Sequence, residues 1–138
     1  MRKNIYYLIL ILLVIACAKQ EEKFELFSAE AFTFSVEEGW ELNASCRVKG
    51  FSQQQKENEF SAKLSYTIDI INPEGELLQN IDEGLIDQTS QEKLSDLRIE
   101  TQLMLDSTYQ TGEYKILFNV FDDYSDANSS IEKSFILE

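Results

Sequence analysis

Four oxygen-bearing side chains lie close together in the polar segment of residues 122–130, which reads DDYSDANSS. They are Asp122, Asp123, Asp126 and Asn128, and carboxylate and amide oxygens are the ligands that Ca²⁺ prefers. A twelve-residue calcium loop starting at Asp122 would need glycine where Ala127 stands and glutamate where Lys133 stands, so that loop type is excluded. An irregular calcium site and an ordinary solvated hairpin loop both fit this composition, and the hairpin loop is the favoured interpretation.

Cys46 is the second candidate for chemistry. A nucleophilic cysteine needs a base or a positively charged neighbour that stabilises the thiolate. The chain of 138 residues contains no histidine, and Cys46 alternates with the apolar residues Ala44 and Val48. We therefore expect a buried thiol that has a structural role.

No other set of residues has the spacing of a catalytic site. The sequence contains no glycine-rich phosphate loop, no serine nucleophile motif and no cysteines at metal-binding spacing. Two acids of a glycosidase could be brought together without any sequence signature, but a small domain with short loops offers little room for a cleft. The prediction is that the protein is not an enzyme and holds no cofactor.

The N-terminus has the layout of a secretory signal, with Arg2 and Lys3 before an apolar run that ends at Cys17. The run is shorter than the about 20 apolar residues that a membrane-spanning helix needs. Its last four residues, Val14-Ile15-Ala16-Cys17, resemble the lipobox of bacterial lipoproteins. This resemblance implies cleavage between Ala16 and Cys17 and attachment of acyl chains to Cys17, which would anchor the protein in a membrane of the cell envelope.

The same resemblance sets the expected organisation and localisation. Residues 1–16 would be the cleaved signal peptide, 17–28 the lipidated cysteine and a tether, and 29–138 a single folded domain. Ala18 stands where some lipoproteins carry the aspartate that retains them at the inner membrane. The outer membrane is therefore favoured, and periplasmic and surface-facing orientations both stay open.

The charge of the chain restricts its partners. It carries 25 Asp and Glu against 12 Lys and Arg, a net charge of −13, which becomes −15 when residues 1–16, with Arg2 and Lys3 and no acid, are removed. A surface with this much negative charge repels nucleic acid and anionic lipid headgroups. The hydrophobic fraction of 43% is too high for a disordered acidic chain, so we expect a folded domain that meets the membrane only through its lipid.

Beyond residue 28 apolar and polar residues alternate, which is the pattern of strands with one buried face. Residues 40–49 are the clearest case, with Trp40, Leu42, Ala44, Cys46 and Val48 on one face. The other predicted strands read AFTFSV, FSAKLSYTIDI, ELLQNI, LRIETQLML, YKILFNV and IEKSFIL. Residues 72–75 predict a tight turn. Residues 82–96 predict a longer crossing, that is, a connection between two strands with room for a helical turn. The pattern predicts an all-β, antiparallel two-sheet sandwich of about seven strands.

The start of the sixth predicted strand, TGEYKI, contains a Gly-x-Tyr pair at Gly112 and Tyr114. This pair resembles the tyrosine corner of immunoglobulin-like domains. The resemblance is to the broad fold, which includes fibronectin-type and bacterial surface domains. It implies an immunoglobulin-like sandwich in which Gly112 and Tyr114 have a structural role.

Most aromatic residues occupy positions predicted to face inward. Phe51, Phe121, Tyr109 and Tyr124 are the exceptions, and they are the candidates for a small exposed aromatic patch. The sequence therefore predicts a lipid-anchored envelope protein that acts as a non-catalytic binding, adhesion or assembly module with a protein or glycan partner. The alternative is a carbohydrate-binding or calcium-dependent accessory module of a surface enzyme or transport system.

Overall fold

The computed structural model describes residues 21–138, which form strands without any helix. The strands are β1 (Glu25–Val36), β2 (Gly39–Lys49), β3 (Gln54–Lys56), β4 (Glu59–Ile71), β5 (Leu77–Ser90), β6 (Asp96–Asp106), β7 (Gly112–Asp122) and β8 (Asn128–Leu137). The predicted all-β class is confirmed, with eight strands where about seven were expected. Within these residues no helical segment has the length and apolar character to cross a membrane.

The strands form two sheets in a sandwich-like arrangement. A three-stranded sheet has the order β1-β2-β6. A five-stranded sheet has the order β5-β4-β7-β8, and the short β3 pairs with the first residues of β4 on the edge that β7 occupies further along. Neighbouring strands are antiparallel throughout. Short turns connect several of them, as in the predicted turn at residues 72–75, where the amide of Gly75 donates to the carbonyl oxygen of Asn72 (2.9 Å).

The core lies between the sheets and consists of the alternating residues that the sequence predicts. Side chains from both sheets have no exposed surface at all, among them Leu42, Cys46, Leu64, Ile70 and Phe118. In a strand successive side chains point to opposite faces, so an apolar residue at every second position fills the space between two sheets. Every buried side-chain nitrogen or oxygen in residues 21–138 has a hydrogen-bond partner.

The predicted crossing at residues 82–96 is wrong in its first half. Instead of forming a loop or helical turn, the chain continues as β5 to Ser90 and pairs with β4 along most of its length, from Leu77 opposite Ile71 to Ser90 opposite Phe60. The amide of Asn80, which has a φ of 52°, donates to the carboxylate of the buried Asp69 (2.8 Å) beside the irregular register. Pairing with the long β4 satisfies the backbone polar groups of a segment whose own composition is typical of a loop.

β1 begins at Glu25 and contains a β-bulge that reverses which residues face the core. Phe27 pairs with Arg47, but the next pair is Glu30 with Ser45, so two residues, Ser28 and Ala29, lie opposite one. Ser28 has a φ of 52°, in the left-handed region. Leu26 before the bulge is buried, and from the bulge onward the partly buried residues are the odd-numbered Ala29, Ala31 and Thr33.

The small inward residues after the bulge let β1 lie close to β8 of the other sheet. Thr33 Oγ1 donates to the carbonyl oxygen of Ile136 (2.8 Å), and Trp40 Nε1 donates to that of Glu138 (3.0 Å). Phenylalanine side chains on this face would hold the two strands apart. The prediction that the aromatic residues of AFTFSV belong to the core is therefore wrong, since Phe32 and Phe34 are 59% and 57% exposed.

The pairing register sorts the turns into two ends of the sandwich. At the N-terminal end Glu25 is paired with Lys49, and the amide of Ser52 donates to Asp122 (2.7 Å), which joins the loop after β2 to the loop after β7. The opposite end carries the β1–β2 turn, residues 72–76 and residues 107–111. The end of β8 lies there too, because Gly112 pairs with Leu137.

Candidate functional site

The predicted lipid-attachment residue Cys17, the cleavage point after Ala16 and the signal segment lie outside the described residues 21–138. The other candidates can all be placed in the fold. They are the buried thiol of Cys46, the loop carboxylate of Asp122, the structural Tyr114 and a set of surface aromatic residues.

Cys46 lies in β2, opposite Ile99 of β6, and has no exposed surface. Burial raises the pKa of its thiol to about 12, because the apolar surroundings disfavour the thiolate. The thiolate is the reactive form of cysteine, so a buried thiol that stays protonated is a poor nucleophile at neutral pH. The prediction that Cys46 is a buried structural residue is confirmed.

The acidic loop is organised around Asp122, whose side chain is buried at 3% exposure. Its Oδ2 accepts hydrogen bonds from the amide of Ser52 (2.7 Å) and the hydroxyl of Ser125 (2.9 Å), while its Oδ1 accepts one from the amide of Tyr124 (3.1 Å). The neighbouring Asp123 instead accepts a hydrogen bond from the hydroxyl of Ser65 (2.8 Å). The Asp122 carboxylate therefore caps loop amides, which is the role of such residues in an ordinary hairpin loop.

Between the remaining predicted calcium ligands, Asp126 and Asn128, the Asn128 side-chain amide donates a hydrogen bond to the backbone carbonyl of Asp126 (3.4 Å). In the part of the chain that the structure describes, no three His, Cys, Asp or Glu side chains are grouped so that they could hold a metal ion.

Tyr114, at the start of β7, fastens the strand to the turn before it. Its hydroxyl donates to the carbonyl oxygen of Gln110 (2.7 Å), four residues upstream, and its ring stacks on Phe135 with 5.4 Å between centroids. Gly112 has a φ of 141°, and a Cβ there would lie 2.8 Å from the Pro73 ring. Both residues of the Gly-x-Tyr pair thus serve to pack the loop after β6 against the sandwich.

The four aromatic residues predicted for an exposed patch do not come together. Phe51 is buried at 7% exposure, Tyr109 and Tyr124 are half-buried, and Phe121 is 44% exposed. Tyr109 belongs to the end of the sandwich opposite Tyr124, and its ring lies 6.3 Å from that of Tyr114. These residues do not form one platform.

A different apolar surface is present, which we call the outer patch: Phe32, Phe34, Val36 and Met104 on the outer face of the three-stranded sheet. Their exposed fractions are 59%, 57%, 38% and 64%. The register places Phe34, Glu41 and Met104 in one row across the three strands. Sequence alternation missed this surface because the bulge at Ser28 is not visible in the hydrophobic pattern.

Together these features define a class: an all-β, two-sheet protein with a satisfied interior and an apolar patch on one sheet face. No protein-family model and no curated protein sequence matches the chain. Among solved structures it is similar to the X-ray structure of Northeast Structural Genomics Consortium target SoR45, with 15% identity and a TM-score of 0.45 over 88% of each chain.

Proposed function

We propose that this chain is a lipid-anchored protein of the bacterial cell envelope whose single domain is a non-catalytic binding module. The observation that carries the proposal is the outer patch. Eight large apolar side chains in residues 21–138 are exposed, and four of them lie together on this one sheet face. Contiguous apolar surface of this kind is typical of interaction sites.

The proposed fold type is immunoglobulin-like. In that arrangement strands A, B and E form one sheet, and C, F and G form the other, which C′ can extend. The orders β1-β2-β6 and β5-β4-β7-β8 correspond to A-B-E and C′-C-F-G. The hydrogen bond from Tyr114 to Gln110, at the start of the strand that corresponds to F, supports the same assignment because it has the form of a tyrosine corner.

The anchor is proposed from the segment Val14-Ile15-Ala16-Cys17. Only seven residues separate Cys17 from the first strand residue, Glu25, so even a fully extended connection spans at most about 29 Å. The domain would therefore stay near the bilayer, held by several acyl chains whose burial contributes about 0.8 kcal/mol per methylene. Outer-membrane localisation is part of the proposal, on the ground that Ala18 follows the cysteine.

Replacement of the lipid-attachment residue tests the anchor. Cys17→Ser should move the protein from the membrane fraction to the soluble fraction, because the acyl chains need the thiol. Mass spectrometry of the wild-type protein should find acyl groups on Cys17 and no residues before it. Cys46→Ala is the matched control and should stay in the membrane fraction. A Cys17→Ser protein that remained there would contradict the lipid anchor.

The alternative function, a carbohydrate-binding module, has one observation in its favour. Phe32 and Phe34 are exposed side by side on a sheet face, where their rings could stack on sugars. A glycan array with and without calcium separates the two functions. Binding that Phe34→Ser abolishes would favour the carbohydrate function, and calcium dependence that Asp122→Asn abolishes would assign calcium to the loop of residues 122–130.

A further inference from the structure

The surroundings of the outer patch are negatively charged. Residues 30–45 and 99–111, which form the half of the three-stranded sheet that carries the patch and the loop after β6, contain six acids and no Lys or Arg: Glu30, Glu37, Glu38, Glu41, Glu100 and Asp106. The nearest basic residue along β6 is Arg98, which lines a depression with Glu30, Phe32 and Glu100 at the other end of the patch. Of the four ion pairs in residues 21–138, only the one between Arg98 and Glu100 (2.9 Å) involves any of these acids. Four carboxylates, those of Glu37, Glu38, Glu41 and Asp106, thus lie beside Phe34, Val36 and Met104 without an ion pair in residues 21–138.

Two of these carboxylates are held in their charged form by hydrogen bonds. The Asn43 side-chain amide donates to Glu41 (2.7 Å) and lowers the pKa of that carboxyl. Hydrogen bonds from the hydroxyl and the amide of Thr108 lower the pKa of Asp106. Glu41 lies between Phe34 and Met104, so the apolar row contains a fixed negative charge at its centre.

The face also has a depression beside the patch that could receive a side chain. Gly39 pairs with Val36 and Asp106, two residues that line this hollow, and its backbone packs closely against that of β6. Only glycine fits, since a Cβ at this position would lie 2.0 Å from the carbonyl oxygen of Leu105. The hollow is lined by Val36 and Met104 together with Glu37, Glu38 and Asp106.

The charge of this face selects among the possible occupants. A second copy bound through the same face would bring its four unpaired carboxylates close to the same four of the first copy, and an anionic membrane or a nucleic acid would be repelled in the same way. We propose that the outer patch docks a polypeptide whose apolar side chains are flanked by Lys or Arg. This inference rests on the proposed binding function and names the class of its partner.

The location of the face agrees with such a partner. Val36 and Met104 lie beside the β1–β2 turn, at the end of the sandwich opposite the start of β1. A lipid on Cys17 would hold the start of β1 near the bilayer, so the outer patch would be the part of this sheet that a separate polypeptide reaches first.

A random-peptide library displayed on phage, selected against the full chain in detergent micelles, tests the inference. The recovered peptides should combine aromatic or aliphatic residues with Lys or Arg. Phe34→Ser should weaken binding of a recovered peptide at least about tenfold, whereas Leu85→Ser should change it by less than about twofold. Leu85 is the matched control because its side chain is also 57% exposed, but on β5 of the other sheet.

The charge is tested with a second matched pair. Glu41→Gln should weaken peptide binding and reduce its dependence on salt, while Glu83→Gln, an exposed acid of β5, should do neither. Circular dichroism checks that each variant folds. If Phe34→Ser does not fold, Met104→Ser is used in its place.

Four outcomes would overturn the inference. They are peptides without basic residues, equal losses from Phe34→Ser and Leu85→Ser, glycan binding that Phe34→Ser abolishes, and a dimer seen by ultracentrifugation that Phe34→Ser dissociates. Glycan binding that Phe34→Ser abolishes would still agree with the proposed binding module, but its ligand would be a glycan and not a polypeptide. The Cys17→Ser fractionation does not depend on this face, so failure of the anchor is observed separately.

Discussion

At the scale of single residues, burial decides what the reactive side chains do. The thiol of Cys46 lies among apolar side chains between the sheets, and this environment keeps it protonated. The carboxylate of Asp122 is also buried, but the amides of Ser52 and Tyr124 donate to it and satisfy its charge. Two side chains that could do chemistry in water are thus used to build the core and a loop.

Substitutions of Cys46 test its burial. Cys46→Ala should lower the free energy of unfolding by about 1 kcal/mol, as loss of one buried heavy atom does. Cys46→Asp should lower it by about 3–5 kcal/mol, because an unpaired charge is left in the core. Urea titrations measure both changes. Rapid labelling of Cys46 by a bulky thiol reagent in the folded protein would contradict the burial.

The raised pKa of Cys46 also predicts a pH dependence. Between the ordinary thiol pKa of 9.0 and the folded value of about 12, the unfolded state binds fewer protons than the folded state. Stability is therefore unaffected by this group below pH 9 and falls as the pH rises through the window, by up to about 1.4 kcal/mol per pH unit. Wild type should lose stability relative to Cys46→Ala between about pH 8 and about pH 10.5 in urea titrations. A difference that is constant with pH would contradict the shift.

At the scale of elements, β1 shows how one extra residue changes the surface of a sheet. The bulge at Ser28 and Ala29 turns Ala31 and Thr33 inward, where they allow close approach to β8. The same reversal exposes the large residues that form most of the outer patch. The proposed binding surface is thus a direct consequence of the bulge.

The bulge is tested at its left-handed residue. Ser28→Val should lower the free energy of unfolding by about 1–2 kcal/mol, because a β-branched residue is strained at a φ of 52°. Ser28→Gly is the matched control and should change it by less than about 0.5 kcal/mol, since glycine adopts this conformation freely but loses more entropy on folding. Thermal and urea unfolding measure both variants. Equal effects of the two substitutions would show that Ser28 does not hold this conformation in solution.

At the scale of the whole molecule, the two ends of the sandwich differ in their distance from the proposed anchor. β1 starts at the end that carries the β3–β4 turn and the loop after β7, and the β1–β2 turn lies at the opposite end. β2 contains 11 residues and is roughly 35 Å long, so the two ends of the sandwich are about that far apart. This distance is several times the Debye length in physiological salt, which is the range over which charges act on each other in solution. A lipid on Cys17 should therefore hold one end near the bilayer and leave the other in solvent.

A pair of labelled variants measures this orientation. Glu38→Cys and Asn58→Cys each place a thiol in an exposed turn, one at each end, while the buried Cys46 should not react. In nanodiscs that contain a quencher lipid, a fluorophore at position 58 should be quenched more strongly than one at position 38. Equal quenching, or stronger quenching at position 38, would contradict the orientation.

The local pattern of the sequence determined the all-β class and most of the core. Alternation placed Cys46, Leu64 and Phe118 between the sheets, because the two-residue period of a strand is a property of the backbone itself. The turn at residues 72–75 was predictable for the same reason, since its hydrogen bond closes within four residues.

Contacts between distant parts of the chain decided the rest. The bulge in β1 is matched to β8 through Thr33 and Ile136, which are 103 residues apart, and no pattern within β1 reveals that contact. The composition of the second half of β5 is that of a loop. β5 nevertheless extends to Ser90, because β4 offers pairing partners from Ile71 to Phe60. The sequence by itself therefore determined which residues alternate, and the tertiary structure decided which of the two alternating faces of β1 meets the solvent, because the choice depends on packing against a strand at the other end of the chain.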